Sequence, residues 1–471
     1  MLAAMLAVPT SAAAEEDPFA ALDAQLESQF QDLDQQLEAE YQAIDTAIEA
    51  AFQKLKSEAE AVWGRDDAVL PTQSVWVDYS SDMQTRRQFD FEEGVLKIEH
   101  IVDDTAPRAE IVDSLVASVA EAESDTESDL SEKDAVLTYA KETLAELDIE
   151  LSEAPAHSDA PVLEGLMAIE TTDVVEAIEK KLDAVISEPL STIDETVAGD
   201  EAVVNEAVLV NEKAVVSGKA SVIEEVLAKK AVANDERLAN EDVGGAILSK
   251  PDQGTAPRSS DSDIKVTSTI LSSGAKKVTV AIPFDVNHLS KSAQRYQNQV
   301  IEEANRRGLP PSLVYAIMET ESHFNPRARS HVPAFGLMQL VPSSGGLDAY
   351  HYVYGEKLVL GPEYYFNPDQ NVELGTAYLD LLLRRYLRDV KNEESRTLCA
   401  IAAYNTGAGN VARSFSGGTS VRGAAPLINA LEPEAVYEHL IANLPYEETR
   451  NYVKKVTKAR ERYRALDQPS A

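Results

Sequence analysis

The chain has 471 residues, enough for two or three domains, and carries 42 Lys and Arg against 81 Asp and Glu, a net charge of -39. Residues 291–471 hold 21 basic and 20 acidic residues, and the first 290 hold the other 21 and 61, so the acidity belongs to the N-terminal part. A surface that acidic repels nucleic acid and anionic lipid, and neither is an expected partner.

Residues 1–14, MLAAMLAVPTSAAA, form a short apolar run ending in small residues before Glu15-Glu16-Asp17. This is the pattern of a secretory signal peptide cut after Ala14, with a frayed apolar N-terminus as the plainer alternative. The run lacks a positive flank, which leaves the translation start open, and it is too short to span a bilayer. The expected location is the periplasm, in association with the cell wall or outer membrane. The single cysteine, Cys399, lies in the apolar run Leu398–Ala402 and is expected in the core. No cysteine sits near the leader, so no lipid anchor is expected.

Residues 15–118 begin with a helix over 19–56. Phe19, Phe30, Tyr41 and Phe52 recur every eleven residues, as do Leu22, Leu33, Ile44 and Leu55, and Leu26, Leu37 and Ile48. An eleven-residue period keeps an apolar stripe nearly straight along a helix. The stripe serves either a protein partner or packing within the chain. Val75–Tyr79, Arg86–Phe91 and Val95–Val102 alternate as strands, with Glu92-Glu93-Gly94 as a hairpin turn. Residues 119–262 are rich in Ala, Val, Glu and Asp and nearly free of aromatics, with helical pieces at Asp134–Leu147 and Glu201–Lys229. They are expected to form a loosely packed or partly disordered acidic insertion. Strands return within 263–289, at Ile264–Leu271 and Lys277–Ile282, and these complete one small sheet with the earlier ones.

Residues 290–465 have the texture of a compact helical domain. Apolar spacings of three and four predict helices at Lys291–Arg307, Pro311–Thr320, Val372–Leu387, Ser395–Tyr404 and Glu447–Arg464. Gly407, Gly409, Gly417 and Gly418 punctuate the loops after the fourth. The fold class is therefore α+β, with an all-α domain at the C-terminus and a small α+β domain carrying a long insertion at the N-terminus.

Glu321 ends an apolar helix, where partial burial disfavours ionisation, as an acid for glycosidic bond cleavage requires. Glu319, two residues earlier, is expected on a different face. Around Glu321 fall four clusters in order: Glu321-Ser322 with Ser330, Gly336-Leu337-Met338-Gln339, Tyr404-Asn405-Thr406-Gly407, and Glu448-Thr449-Arg450-Asn451-Tyr452. Together they resemble the transglycosylase domain of glycoside hydrolase family 23, the lytic transglycosylases. The segments around Val75–Tyr79 and Lys277–Pro283 are similar to the N-terminal domain of the membrane-bound C-type members.

The resemblance implies a lysozyme-like catalytic domain and cleavage of peptidoglycan between N-acetylmuramic acid and N-acetylglucosamine. It makes Glu321 first acid and then base, leaving 1,6-anhydromuramyl ends. No second acid is counted in the matched motifs, which fits attack by the sugar's own C6 hydroxyl rather than the two-carboxylate scheme of most glycosidases. The resemblance implies that Ser330 and Gln339 contact the sugar and that Tyr404 and Tyr452 orient Glu321. Met338 packs under a ring or in the core, and Asn405 binds sugar or caps the turn before Gly407. Tyr350, Tyr352, Tyr354, Tyr364 and Tyr365 line a glycan groove or the core. The partner is the glycan strand. Seven scattered histidines lack metal-binding spacing, and no cofactor or metal is expected. The alternatives are a lysozyme-type hydrolase and an idle wall-binding scaffold.

Overall fold

A computed structural model describes residues 20–102, 106–149, 158, 160–169, 171–187, 264–330 and 333–467. The expected leader, Phe19 and the expected helix Glu201–Lys229 lie outside the described residues. Helix α1 spans Ala20–Trp63, longer than the repeat predicts. From Leu37 onward its stripe is buried, Tyr41 included: Ile44, Ile48, Phe52 and Leu55 join Val136, Leu137, Ala140 and Leu144 in one cluster with the C-terminal helices. The Tyr41 hydroxyl donates to the Leu358 carbonyl at 3.0 Å. Over these residues the stripe packs on its own chain and is not open to a partner.

Strands β1 (Val75–Tyr79), β2 (Thr85–Asp90), β3 (Val95–Val102), β4 (Lys265–Ile270) and β5 (Lys276–Pro283) form one antiparallel sheet in the order β1-β2-β3-β5-β4. Val95 pairs with Pro283 and Ile98 with Val280, so the two strand groups do complete one sheet across the insertion. Between them lie α2 (Arg108–Ser124), α3 (Glu127–Glu132), α4 (Ala135–Glu146) and α5 (Thr171–Ser187). Leu115, Val119, Ile178 and Leu182 of α2 and α5 cover Trp76, Phe89, Leu96 and Ile98 of the sheet. Over its described residues up to 187, the insertion is therefore packed and not loose. Its lack of aromatics misleads because small aliphatic side chains suffice to fill a closely set helix–sheet layer.

The C-terminal part is all helical: α6 (His288–Arg295), α7 (Gln297–Arg307), α8 (Pro311–Ser322), α9 (Leu347–Tyr354), α10 (Pro362–Phe366), α11 (Pro368–Leu381), α12 (Glu393–Thr406), α13 (Ala408–Ser416), α14 (Val421–Ile428), α15 (Pro433–Asn443) and α16 (Glu447–Tyr463). The expected helix Lys291–Arg307 breaks at Tyr296. Gly407 and Gly417, at φ 82° and 75°, do end α12 and α13, but the chain between them is helix rather than loop. Cys399 is buried, and burial pushes its thiol up to about 12, in keeping with a core residue. Among the described residues no helix is long and apolar enough to cross a membrane.

Glu127 opens α3 with 1% of its surface exposed. Burial pushes its carboxyl from 4.5 to about 7, against the opposing pull of Arg295. A carboxyl raised on folding contributes stability that is complete below its unfolded value and lost as pH rises through the folded one. Glu127→Gln removes the titration. Its stability relative to wild type should improve by up to about 3 kcal/mol between about pH 5 and about pH 8, read by denaturant unfolding. A pH-independent difference contradicts this.

Candidate active site

Helix α8 is apolar on every side, and Leu313, Val314, Tyr315, Ala316, Ile317 and Met318 are all buried. Such a helix runs through the core, so its last turn delivers a side chain into the interior. Glu321 sits there, 8% exposed. Glu319 points away: its carboxylate accepts from the Tyr463 hydroxyl at 2.6 Å and pairs with Arg462. After Ser322 the chain reverses through His323 and Phe324, both left-handed at φ 51° and 64°. Non-glycine residues hold that conformation at a cost of order 1–3 kcal/mol each, so the surroundings must impose it. Phe324 is seated against Tyr315 and Tyr463. Ser322 Oγ shares its hydrogen between the Met318 and Leu337 carbonyls, at 2.9 and 2.8 Å.

That second bond ties the helix end to the turn Gly336–Gln339. Gly336 has φ 76°, and a Cβ there would strike the Tyr365 carbonyl and the Asn371 amide. Asn371 of α11 holds the turn from below. Its Nδ2 donates to the Phe335 and Tyr365 carbonyls, at 2.9 and 2.7 Å, and its Oδ1 accepts the Met338 N–H at 2.7 Å. The Gln339 amide nitrogen donates to the Ala328 and Gly336 carbonyls. Its Oε1 is buried without a hydrogen-bond partner among the described residues. The Met338 side chain is wholly buried against Gly375 and so belongs to the core, not beneath a sugar ring. Its carbonyl accepts the Tyr404 hydroxyl at 2.8 Å.

Tyr404 ends α12 and Tyr452 lies on α16, both buried. Burial raises both phenols well above their ordinary value, and the Glu321 carboxylate raises each further. Glu321, Tyr404 and Tyr452 are thus brought together. Asn405 neither caps the turn nor stands apart: its Oδ1 accepts the Thr449 hydroxyl at 2.7 Å, locking the third cluster to the fourth. Ser330 is half-buried at the mouth of the loop before the turn, just beyond the Arg329–Phe335 bridge, and its N–H donates to the Ala334 carbonyl. Glu448, a half-buried carboxylate in the first turn of α16, is an acid of the fourth cluster that the sequence count leaves out.

The tyrosine-rich stretch is largely committed to packing. Tyr365 is fully buried, and the hydroxyls of Tyr352, Tyr354 and Tyr364 donate to Asp380, Glu373 and Gln370. The N-terminal domain reaches the site's edge, where Glu92 of the β2–β3 turn lies 3.8 Å from the His323 imidazole. Asn371 carries the turn yet escaped the sequence analysis. Its signal is an amide beside Val372, Leu374 and Gly375 on the buried side of the helix.

Residues 298–422 match the family model of the transglycosylase SLT domain, and residues 41–148 match that of the N-terminal domain of membrane-bound lytic murein transglycosylase C. The second match runs into the segment first assigned to the insertion. The chain is 41% identical over 202 residues to membrane-bound lytic murein transglycosylase C of Histophilus somni (strain 2336), covering 43% of this chain and 55% of that protein. It is 41% identical over 186 residues to the protein of that name from Klebsiella pneumoniae (strain 342), covering 40% and 51%. It thus spans about half the length of the curated relatives it matches. Among solved structures, an inactive mutant of the lytic transglycosylase Slt from Pseudomonas aeruginosa is 30% identical, covering 37% of this chain and 25% of that one, with a TM-score of 0.28. The 70 kDa soluble lytic transglycosylase of Escherichia coli is 25% identical, covering 36% and 24%, with a TM-score of 0.28. In both domains, and in their order, the chain is similar to the lytic murein transglycosylases of the C type.

Gly336 and Gly355 share nearly the same φ, 76° and 77°, but only Gly355 has open space where a Cβ would go. Gly355→Ala should cost about 1 kcal/mol for the backbone alone. Gly336→Ala should cost at least about 2 kcal/mol more, from the collision with the turn's supports. Denaturant titration of the two variants checks this, and equal costs would contradict the picture of a turn held by Asn371.

Proposed function

We propose that the chain is a lytic transglycosylase that cleaves the bond between N-acetylmuramic acid and N-acetylglucosamine in peptidoglycan, with Glu321 as acid and then base. Three chemical facts define the task. The leaving oxygen needs a proton, C1 needs a nucleophile, and the nucleophile must lose a proton. Glu321 supplies its proton to the glycosidic oxygen as the C1–O bond breaks. Its carboxylate then takes the proton of the muramyl C6 hydroxyl as O6 bonds to C1. The acid is regenerated, the leaving sugar keeps its hydroxyl, and no water is consumed.

The observation that carries this reading is a single carboxyl at the buried end of an apolar helix, its charge felt by two buried phenols, while its neighbour Glu319 is committed to Arg462 and Tyr463. Burial keeps bulk water from Glu321, so its proton passes to the glycosidic oxygen, and the Tyr452 phenol beside it steadies the carboxylate that is left. In this reading Tyr404 and Tyr452 orient Glu321, and the open Oε1 of Gln339 accepts a hydrogen from the sugar's amide or hydroxyl. Ser330 meets the muramyl sugar at the loop mouth. Asn405 acts through Thr449 by holding α16, and Met338 acts through its carbonyl on Tyr404. The enzyme works in the cell envelope, in the periplasm, where glycan strands lie.

A hydrolase is the competing reading, and Glu448 is the observation that keeps it in view. Glu321→Gln should lower fragment release from purified peptidoglycan at least about a hundred-fold with the fold intact, and Glu448→Gln should leave the wild-type product unchanged. Mass analysis should find muramyl ends one water lighter than reducing ends. Only reducing ends, lost in Glu448→Gln, would establish the hydrolase instead. No release even by the wild-type chain would point to a scaffold, and release undiminished in Glu321→Gln would remove Glu321 as the acid.

A further inference from the structure

Between Glu321 and the Gly336–Gln339 turn, the chain is gripped by the N-terminal domain. Asn325 Nδ2 donates to the Gln73 carbonyl at 3.1 Å, and the Arg329 N–H donates to the Thr72 carbonyl at 3.2 Å. The guanidiniums of Arg327 and Arg329 both meet one carboxylate, Asp134, with Arg327 Nη2 at 2.9 Å. All three side chains are sealed from water, with Asp134 5%, Arg327 0% and Arg329 1% exposed. Asp134 also caps α4, accepting the Leu137 N–H at 3.1 Å.

The grip extends to the turn. Arg327 and Arg329 lie over the ring of Phe366, at 4.1 and 5.0 Å, and Phe366 meets Phe335 edge-on at 5.4 Å. Phe335 precedes Gly336. Helix α10, which carries Phe366, is itself held by the N-terminal domain: Glu363 accepts from Ser131 and Lys141, at 2.9 and 2.8 Å. An unbroken set of contacts therefore runs from α4 to the turn that faces Glu321.

Two buried guanidiniums sharing one carboxylate make a poor stabilising device. Two like charges are desolvated for one counter-charge, and apolar side chains of similar volume commonly do as well. Nε and Nη1 of both arginines are also buried with no hydrogen-bond partner among the described residues. What such a triad supplies, and packed methylenes do not, is direction: planar forks fixed on one point hold both flanking backbones to one path.

We propose that Asp134 is a positioning residue of the active site. Through Arg327 and Arg329 it sets the path of residues 325–330, and with it the placement of Ser330 and the Gly336–Gln339 turn relative to Glu321. The N-terminal domain is thereby a working part of the site. This rests on the transglycosylase reading.

The test uses the full chain and release of anhydro-ended fragments. Asp134→Asn keeps a side chain that can cap α4 and removes the charge that gathers the arginines. Its kcat should fall about ten- to a hundred-fold with KM within about two-fold, while circular dichroism stays native. The triple variant Asp134→Leu, Arg327→Met, Arg329→Met should recover the wild-type melting temperature and still show the low kcat. A wild-type kcat in either folded variant overturns the proposal and makes the triad purely structural. A wild-type chain that releases no anhydro ends overturns the transglycosylase reading, and this inference falls with it.

Discussion

The Ser322 hydroxyl is the smallest element on which the site depends. By sharing its hydrogen between the Met318 and Leu337 carbonyls it joins the last turn of α8 to the Gly336–Gln339 turn, Ser322 and Leu337 being 15 positions apart. Glu321 is the residue before it. The backbone that carries that side chain is held on both sides, by the helix and by the turn. The left-handed residues His323, Phe324 and Gln339 are the conformational cost of so short a reversal. The aromatic packing of Phe324 and the three hydrogen bonds of Asn371 hold it in place.

Order passes outward from this junction in layers. The turn presents the Met338 carbonyl to Tyr404, whose neighbour Asn405 accepts from Thr449, three residues before Tyr452. Three helices and one turn thus bring two phenols and a carboxyl together. The acidic N-terminal half is part of the same body. Its α1 and α4 share a hydrophobic cluster with the C-terminal helices, and its strands place Thr72, Gln73 and Glu92 along the site's edge.

The placement of Glu321 and of its four clusters was legible in the sequence because it is written in short local segments. Apolar periodicity predicts α8 and places Glu321 at its end, and both hold. Strand alternation and the spacing of the two strand pairs predict one sheet, and register across the insertion bears this out. The sequence is silent about long-range polar partners. Nothing local to Asp134 says that it meets arginines nearly two hundred residues away, and nothing local to Asn371 says that it carries a turn. It also misleads where composition stands in for packing. The aromatic-poor segment up to residue 187 looks loose, yet its aliphatics fit the sheet closely. Met338 looks available to a sugar because its cluster is catalytic, yet the absence of a side chain at Gly375 draws it inward.

The central claim is that one carboxyl serves as acid and base while the substrate attacks itself, so that no solvent oxygen enters the product. Digestion of purified peptidoglycan in heavy-oxygen water, followed by mass analysis of the muramyl ends, tests this directly. The account predicts ends one water lighter than reducing ends and free of label. Ends carrying one heavy oxygen at C1 would show that water is the nucleophile and would contradict it.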